Sequence, residues 1–209
     1  MKTVAILTLP AFNEIDSFVA LHILNRAEGV RAILAGPEDR AVSMNGVDVA
    51  VEGGMDDIAG ADAVLIGSGR RSLEFAADPA LLPALALDPA RQSIASQCSG
   101  ALFLAAKGLI GTMPVCTDNV TRPHLEAMGV EVTTASLAAE DNVATAGGCL
   151  SAPLVATWLL MRLADETAAR SALDYVAPVG EREQWREALI GQVRAAMQPR
   201  QARAVAAAT

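Results

Sequence analysis

The chain has 209 residues, 52% hydrophobic but only 3% aromatic, and a formal net charge of -8. That length suits one domain that can bury a core without a disulfide or metal staple. The acidic balance, with no Lys/Arg block to follow a phosphate backbone, argues against a nucleic-acid partner. No uninterrupted apolar run reaches the roughly 18 residues of a membrane span.

Residues 3–9 (TVAILTL) are a near-continuous apolar run, the pattern of a parallel strand covered on both faces. Residues 14–27 carry apolar side chains at helical spacing. Residues 30–36 (VRAILAG) predict a second strand, punctuated by Gly36 and Pro37. Residues 42–54 read as a small hairpin turning at Asn45-Gly46. Residues 61–69 (ADAVLIGSG) are a third core strand that enters a glycine-containing loop. A helix is expected over 78–88, with Pro79 near its start, then a strand over 92–97 (QSIASQ) leading to Cys98, and a helix over 100–110. Further along, 113–118 (MPVCTD), 130–135 (VEVTTA) and 142–148 (NVATAGG) read as strands, and 121–129 as a helix closed by Gly129. One long helix is expected over 151–173, with Ser151 as N-cap and Pro153 in the first turn. A final amphipathic helix over 180–197 precedes a frayed tail at 198–209. The expectation is a single domain over 1–197, an α/β sandwich with a mostly parallel sheet.

In open α/β sheets, sites form beyond the carboxyl ends of the strands. The loop at 10–16, the loop at 67–72 and the turn at Cys98 all fall there. A strand–turn–helix aims early helix N–H groups at Cys98, which favours its thiolate and lowers its pKa. The alternative is a cysteine packed as a small hydrophobe. Ser99 and Gly69 are placed to offer backbone N–H groups to developing negative charge. Asp16 or Glu14 is a carboxyl able to donate to sulfur or orient water, or simply a helix cap. Arg70 and Arg71 either attract an anion or are solvated. His22 reads as a partly buried core histidine and His124 as a surface one. Cys149 lies at another strand-to-helix junction, where it packs or flanks the site, and Cys116 reads as an ordinary strand residue. Three scattered cysteines without a CxxC or Cys/His cluster predict no disulfide framework, no metal and no cofactor. The apolar run of MKTVAILTLP is too short for a signal peptide, so the expected location is cytoplasmic.

Four stretches in order, AILTLPAFNEIDSF, ADAVLIGSGRRS, SIASQCSGALFLAAKGLIG and NVATAGGCLSAPLVATWLL, resemble the ThiJ/PfpI superfamily over nearly the whole chain. The third is the most specific of them. The resemblance implies a flavodoxin-like three-layer sandwich of the class I glutamine amidotransferase-like kind and a homodimer. Cys98 would be the nucleophile on an elbow, with oxyanion-hole amides from Ser99 and Gly69. Asp16 falls where the superfamily carries an acidic residue against the cysteine, and an aspartate there is similar to the isocyanide (isonitrile) hydratase branch. That implies a lyase acting on a small-molecule electrophile, with Glu14, Arg70, Asp118 and Cys149 as possible substrate contacts. Two departures stand out. Asp118 occupies a position where a histidine is common, which weakens a PfpI-like amidase or peptidase and a glyoxalase that uses that histidine. Ser68 and Arg71 stand where glycine is frequent. A different class of reading is a non-enzymatic redox sensor or stress protein using an oxidisable Cys98.

Overall fold

The computed structural model describes residues 1–198. Strand β1 (Lys2–Leu7) leads into helix α1 (Glu14–Leu24), then β2 (Val30–Ala35) and a hairpin of β3 (Arg40–Val42) and β4 (Asp48–Ala50). Helix α2 (Met55–Gly60), β5 (Ala63–Ile66), α3 (Ser72–Ala76) and α4 (Leu81–Ala84) follow, then β6 (Ser93–Gln97), α5 (Ala101–Ala106) and α6 (Arg122–Ala127). The chain continues through β7 (Leu137–Glu140), β8 (Val143–Ala146), α7 (Ala152–Leu163), α8 (Glu166–Val176) and α9 (Arg182–Met197). The main sheet has the order β2-β1-β5-β6-β8-β7. Every pairing in it is parallel except that of β7 with β8.

Alternation along the strands builds two cores. Val4, Ile6 and Leu65 face the layer of α1, α7, α8 and α9, while Ala5, Leu7, Val64 and Ile66 face the layer of α2, α3, α5 and α6. Helix α7 lies almost wholly inside, with Trp158, Leu159 and Leu160 at 0% exposure. Each such side chain stabilises the fold by roughly 2 kcal/mol through removal from water. The result is the flavodoxin-like α/β sandwich the sequence implies. The strand order reverses between β1 and β5, and the crevice beyond the carboxyl ends there is where such sheets hold their sites.

Several local expectations change. Residues 113–118 and 130–135 do not form strands; they share one isolated parallel bridge, Val115 with Val132. The antiparallel edge strand is instead β7, whose LAAE sequence has little β propensity and is held by register with β8. The long helix over 151–173 breaks at Ala164, because the Asp165 side chain accepts the Ala168 N–H and starts α8. Ser151 sits at the N-cap of α7 without capping it; its hydroxyl donates to the Gly147 carbonyl at 2.6 Å. The helix expected over 78–88 shrinks to α4. The expected frayed tail lies, beyond Gln198, outside the described residues. Among the described residues no helix is long and apolar enough to cross a membrane.

Candidate active site

Cys98 follows the last residue of β6 and opens a 3-10 turn, Cys98–Gly100, that runs into α5. Its φ is 49°, in the left-handed region, where a side chain costs about 1–2 kcal/mol. The turn tolerates this because it is pressed onto the end of β5. A Cβ on Gly100 would sit 2.1 Å from the Ile66 carbonyl oxygen, so only glycine fits there. Thr117 Oγ1 donates to the Cys98 carbonyl at 2.9 Å and ties the turn from the other side. Cys98 itself is 2% exposed.

Asp16 lies in the first turn of α1, whose N-cap Asn13 accepts the Ile15 N–H. The Asp16 side chain is fully buried. Its Oδ2 accepts the Ser68 N–H at 2.9 Å, whereas Oδ1 has no hydrogen-bond partner among the described residues. Cys149 opens a second 3-10 turn, Cys149–Ser151, after β8. Asn13 Nδ2 donates to its sulfur at 3.1 Å. Gln97 Nε2 reaches across from the end of β6 to the carbonyls of Gly148 (3.1 Å) and Cys149 (2.7 Å). A carboxylate oxygen of Asp16 and the sulfurs of Cys98 and Cys149 all lie within 4.8 Å of one another.

Burial dominates the titration of this cluster. It raises Asp16 above the ordinary carboxylate range, against the hydrogen bonds from Ser68 that favour the charged form. Burial first, and then the Asp16 charge, push the Cys98 thiol well above its ordinary value. The lowered thiol pKa expected from the helix N-terminus is therefore not what the site produces. A carboxylate and a thiolate in one buried space repel, so the pair retains one proton between them. A thiolate on Cys98 goes with a protonated Asp16.

The remaining candidates divide. The Gly69 N–H donates to Ser99 Oγ (3.3 Å), Ser99 Oγ donates to Ser72 Oγ (2.9 Å), and Ser72 Oγ donates to the Gly69 carbonyl (3.0 Å). This ring couples the loop after β5 to the elbow. A cavity of about 20 Å³ opens beside it, lined by Gly69 and Ser72 and by the apolar Leu9, Phe12, Phe75 and Phe103. Glu14 is turned to the hairpin: it accepts from the Ser43 hydroxyl, from the Asn45 N–H (3.2 Å) and from Asn45 Nδ2 (2.9 Å). Asp118 accepts the Val120 and Thr121 N–H groups at 2.9 and 2.8 Å and steadies the start of α6. Its charge adds to the upward pressure on Asp16 and Cys98. Arg70 is exposed, and Arg71 pairs with Glu74 and lies over the Phe75 ring. His22 is exposed rather than partly buried, against Tyr175, and His124 is on the surface. Neither belongs to the Cys98 cluster.

Asp16, Cys98 and Cys149 have the ligand types of a soft metal site. Holding an ion would require both thiols to lose protons beside a buried carboxylate. Sequence reading overlooked Asn13, Ser72, Gln97 and Thr117. Asn13 carried a signal as a cap residue ahead of an amphipathic run, and Gln97 as a lone amide at the end of an apolar strand. Ser72 was marked only by lying in the loop at 67–72, and nothing in the sequence pointed to Thr117.

The profile of the DJ-1/PfpI family matches residues 2–161. No curated protein sequence matches. Among solved structures, the chain is similar to Schizosaccharomyces pombe DJ-1, at 19% identity and a TM-score of 0.73, covering 85% of this chain and 100% of that one. It is similar to a THiJ/PfpI family protein from Pseudomonas syringae, at 21% identity and a TM-score of 0.75, covering 92% and 88%. A cysteine-to-alanine mutant of a DJ-1 superfamily protein from Salmonella typhimurium is similar at 24% identity and a TM-score of 0.72, covering 84% and 98%.

Proposed function

Because the chain belongs to the DJ-1/PfpI family, we propose that it is a cysteine-dependent enzyme that adds water to a small electrophilic carbon, an isonitrile being the model substrate. The observation that carries the reading is the fully buried Asp16 carboxyl, with a carboxylate oxygen within 4.8 Å of the Cys98 sulfur. The shared proton gives each group a task. Cys98, as thiolate, attacks the terminal carbon, and Asp16 delivers the retained proton to that carbon, forming a thioimidate. Asp16, now ionised, then takes a proton from water as the water adds. The other water proton passes to the substrate nitrogen as the adduct collapses, which expels the thiolate, leaves an N-substituted formamide and returns Asp16 to its protonated form. The isonitrile carbon bears no oxygen at first attack. The Ser99 and Gly69 amides therefore act after water has added, with the Ser99 hydroxyl turning away from Gly69. The proposed assembly is a homodimer, in which exposed Leu150 and Ile15, at 85% and 44%, would be covered beside the site.

The test is to supply an aryl isonitrile under reducing conditions and follow formamide. Turnover by the wild type and none by C98A is the expected result; equal product from both would overturn the proposal. D16N separates acid from nucleophile. Removing the Asp16 charge takes away one upward push on the Cys98 thiol. Alkylation of Cys98 should then begin at lower pH than in the wild type, while formamide production falls by about 100-fold or more for want of the acid. An alkylation profile that does not move would uncouple the two residues.

A further inference from the structure

Cys149 has no task in the addition chemistry, yet its sulfur lies within 4.8 Å of the Cys98 sulfur. Strands β6 and β8 are parallel neighbours with Gln97 opposite Ala146 in register. Their ends therefore deliver Cys98 and Cys149 side by side, although 50 residues separate them. The two sulfurs are within 4.8 Å of each other. Closing that gap to an S–S bond of about 2.05 Å requires a movement of under about 3 Å, which is the reach of one χ1 step at a cysteine. Cys149 is half-buried and Cys98 buried, so the outer thiol screens the inner one. A second observation concerns the acid beside them: an Asp16 carboxylate oxygen lies within 4.8 Å of both sulfurs, and in that fully buried side chain Oδ1 has no hydrogen-bond partner among the described residues.

We propose that Cys98 and Cys149 form a redox-active dithiol whose substrate is a small hydroperoxide, with Cys149 as the resolving thiol. The Cys98 thiolate attacks the distal peroxide oxygen; the O–O bond breaks, and the alkoxide takes the Asp16 proton and leaves as alcohol or water. Sulfur is oxidised by two electrons to a sulfenic acid and the peroxide is reduced by the same two. The Cys149 sulfur, passing its proton to the ionised Asp16, then attacks Cys98 Sγ. The S–O bond breaks, hydroxide leaves as water with a proton from the Asp16 carboxyl, and an intramolecular disulfide remains. An external thiol reductant restores both thiols by exchange. Asn13 Nδ2, donating to the Cys149 sulfur at 3.1 Å, holds that sulfur beside the space it attacks through. The disulfide blocks addition chemistry at Cys98 and protects it from irreversible sulfinic acid.

The inference rests on Cys98 being the reactive thiol of the proposed function, and on no other part of that reading. Isonitrile turnover is assayed with reductant and no peroxide; the disulfide is assayed with peroxide and no isonitrile. The two can fail separately. The full-length wild type, C149S, C149A and C98S are treated with stoichiometric hydrogen peroxide, unfolded in an alkylating agent and analysed by peptide mass spectrometry. Cys116, buried and held by its surroundings at a thiol pKa of about 11, is the internal standard that should remain alkylatable. In the wild type, the expected product is lighter by two hydrogen atoms, with the Cys98 and Cys149 peptides joined until reductant is added. Both Cys149 variants should instead accumulate sulfenic and then sulfinic acid on Cys98, and C98S should keep Cys149 as a thiol. Wild type that gives Cys98 sulfinate with Cys149 free, or that leaves both thiols alkylatable, would overturn the proposal. Using two Cys149 variants guards against a folding defect in either.

Discussion

Two neighbouring parallel strands end in the same way and are used differently. Both β6 and β8 run into a cysteine, a 3-10 turn and a helix. At the end of β6 the cysteine itself takes the left-handed backbone, with φ 49° at Cys98. At the end of β8 a glycine takes it, with φ 85° at Gly148, and Cys149 follows in ordinary turn geometry. The first arrangement stores strain on Cys98 itself and fixes where its sulfur points. The second places the positive φ on a glycine and leaves its cysteine half-buried. Strain and exposure are thus divided between the turns by which residue bears the positive φ.

Substitutions at the glycines of the two turns probe this difference directly. The largest effect is expected from Gly100→Ala. Its Cβ would meet the Ile66 and Gly67 carbonyl oxygens at 2.1 and 2.8 Å, and backbone cannot yield as a side-chain tip would. A loss of roughly 3 kcal/mol or more is expected, read as a lower urea midpoint, together with a slower alkylation of Cys98. An unchanged midpoint would mean the elbow is not wedged against β5. Gly148→Ala meets nothing within 4 Å, so only the backbone objects, at φ 85° and ψ 141°, by roughly 1–3 kcal/mol. Peroxide-driven linkage of the two cysteines should slow in that variant while Cys98 alkylation is preserved; equal damage to both would erase the distinction between the turns. The smallest effect belongs to Glu14→Gln, at the hairpin side of the same helix turn as Asp16. Stability should change by about 0.5 kcal/mol or less, with formamide production as in wild type. A collapse of turnover there would return Glu14 to the site.

The buried strands β1, β2, β5, β6 and β8 were legible because a parallel strand covered on both faces has to be apolar along its length. The edge strand β7 was not, since Leu137-Ala138-Ala139-Glu140 owes its state to its partner rather than to its own preference. Val130 to Ala135 shows the converse: β-branched residues with no available sheet edge beyond one bridge at Val132. At the site, Cys98 and Asp16 were readable as residues just past strand ends. The weight of Cys149 was not, because its nearness to Cys98 depends on β8 lying next to β6, and strand order is a property of the whole sheet. The direction of the Cys98 titration was also hidden. A helix N-terminus can be inferred from sequence, but the burial that overrides it depends on how all the layers close.

Gln97 adds something about motion. Its backbone belongs to β6 and leads into Cys98, while its amide holds two carbonyls of the other turn, those of Gly148 and Cys149. The two sulfurs are therefore carried on a common frame. When the sheet ends breathe, both turns should swing together, so the gap between the sulfurs fluctuates less than the position of either. A ligand reaching this crevice meets a pair whose spacing is kept by an amide that touches neither thiol.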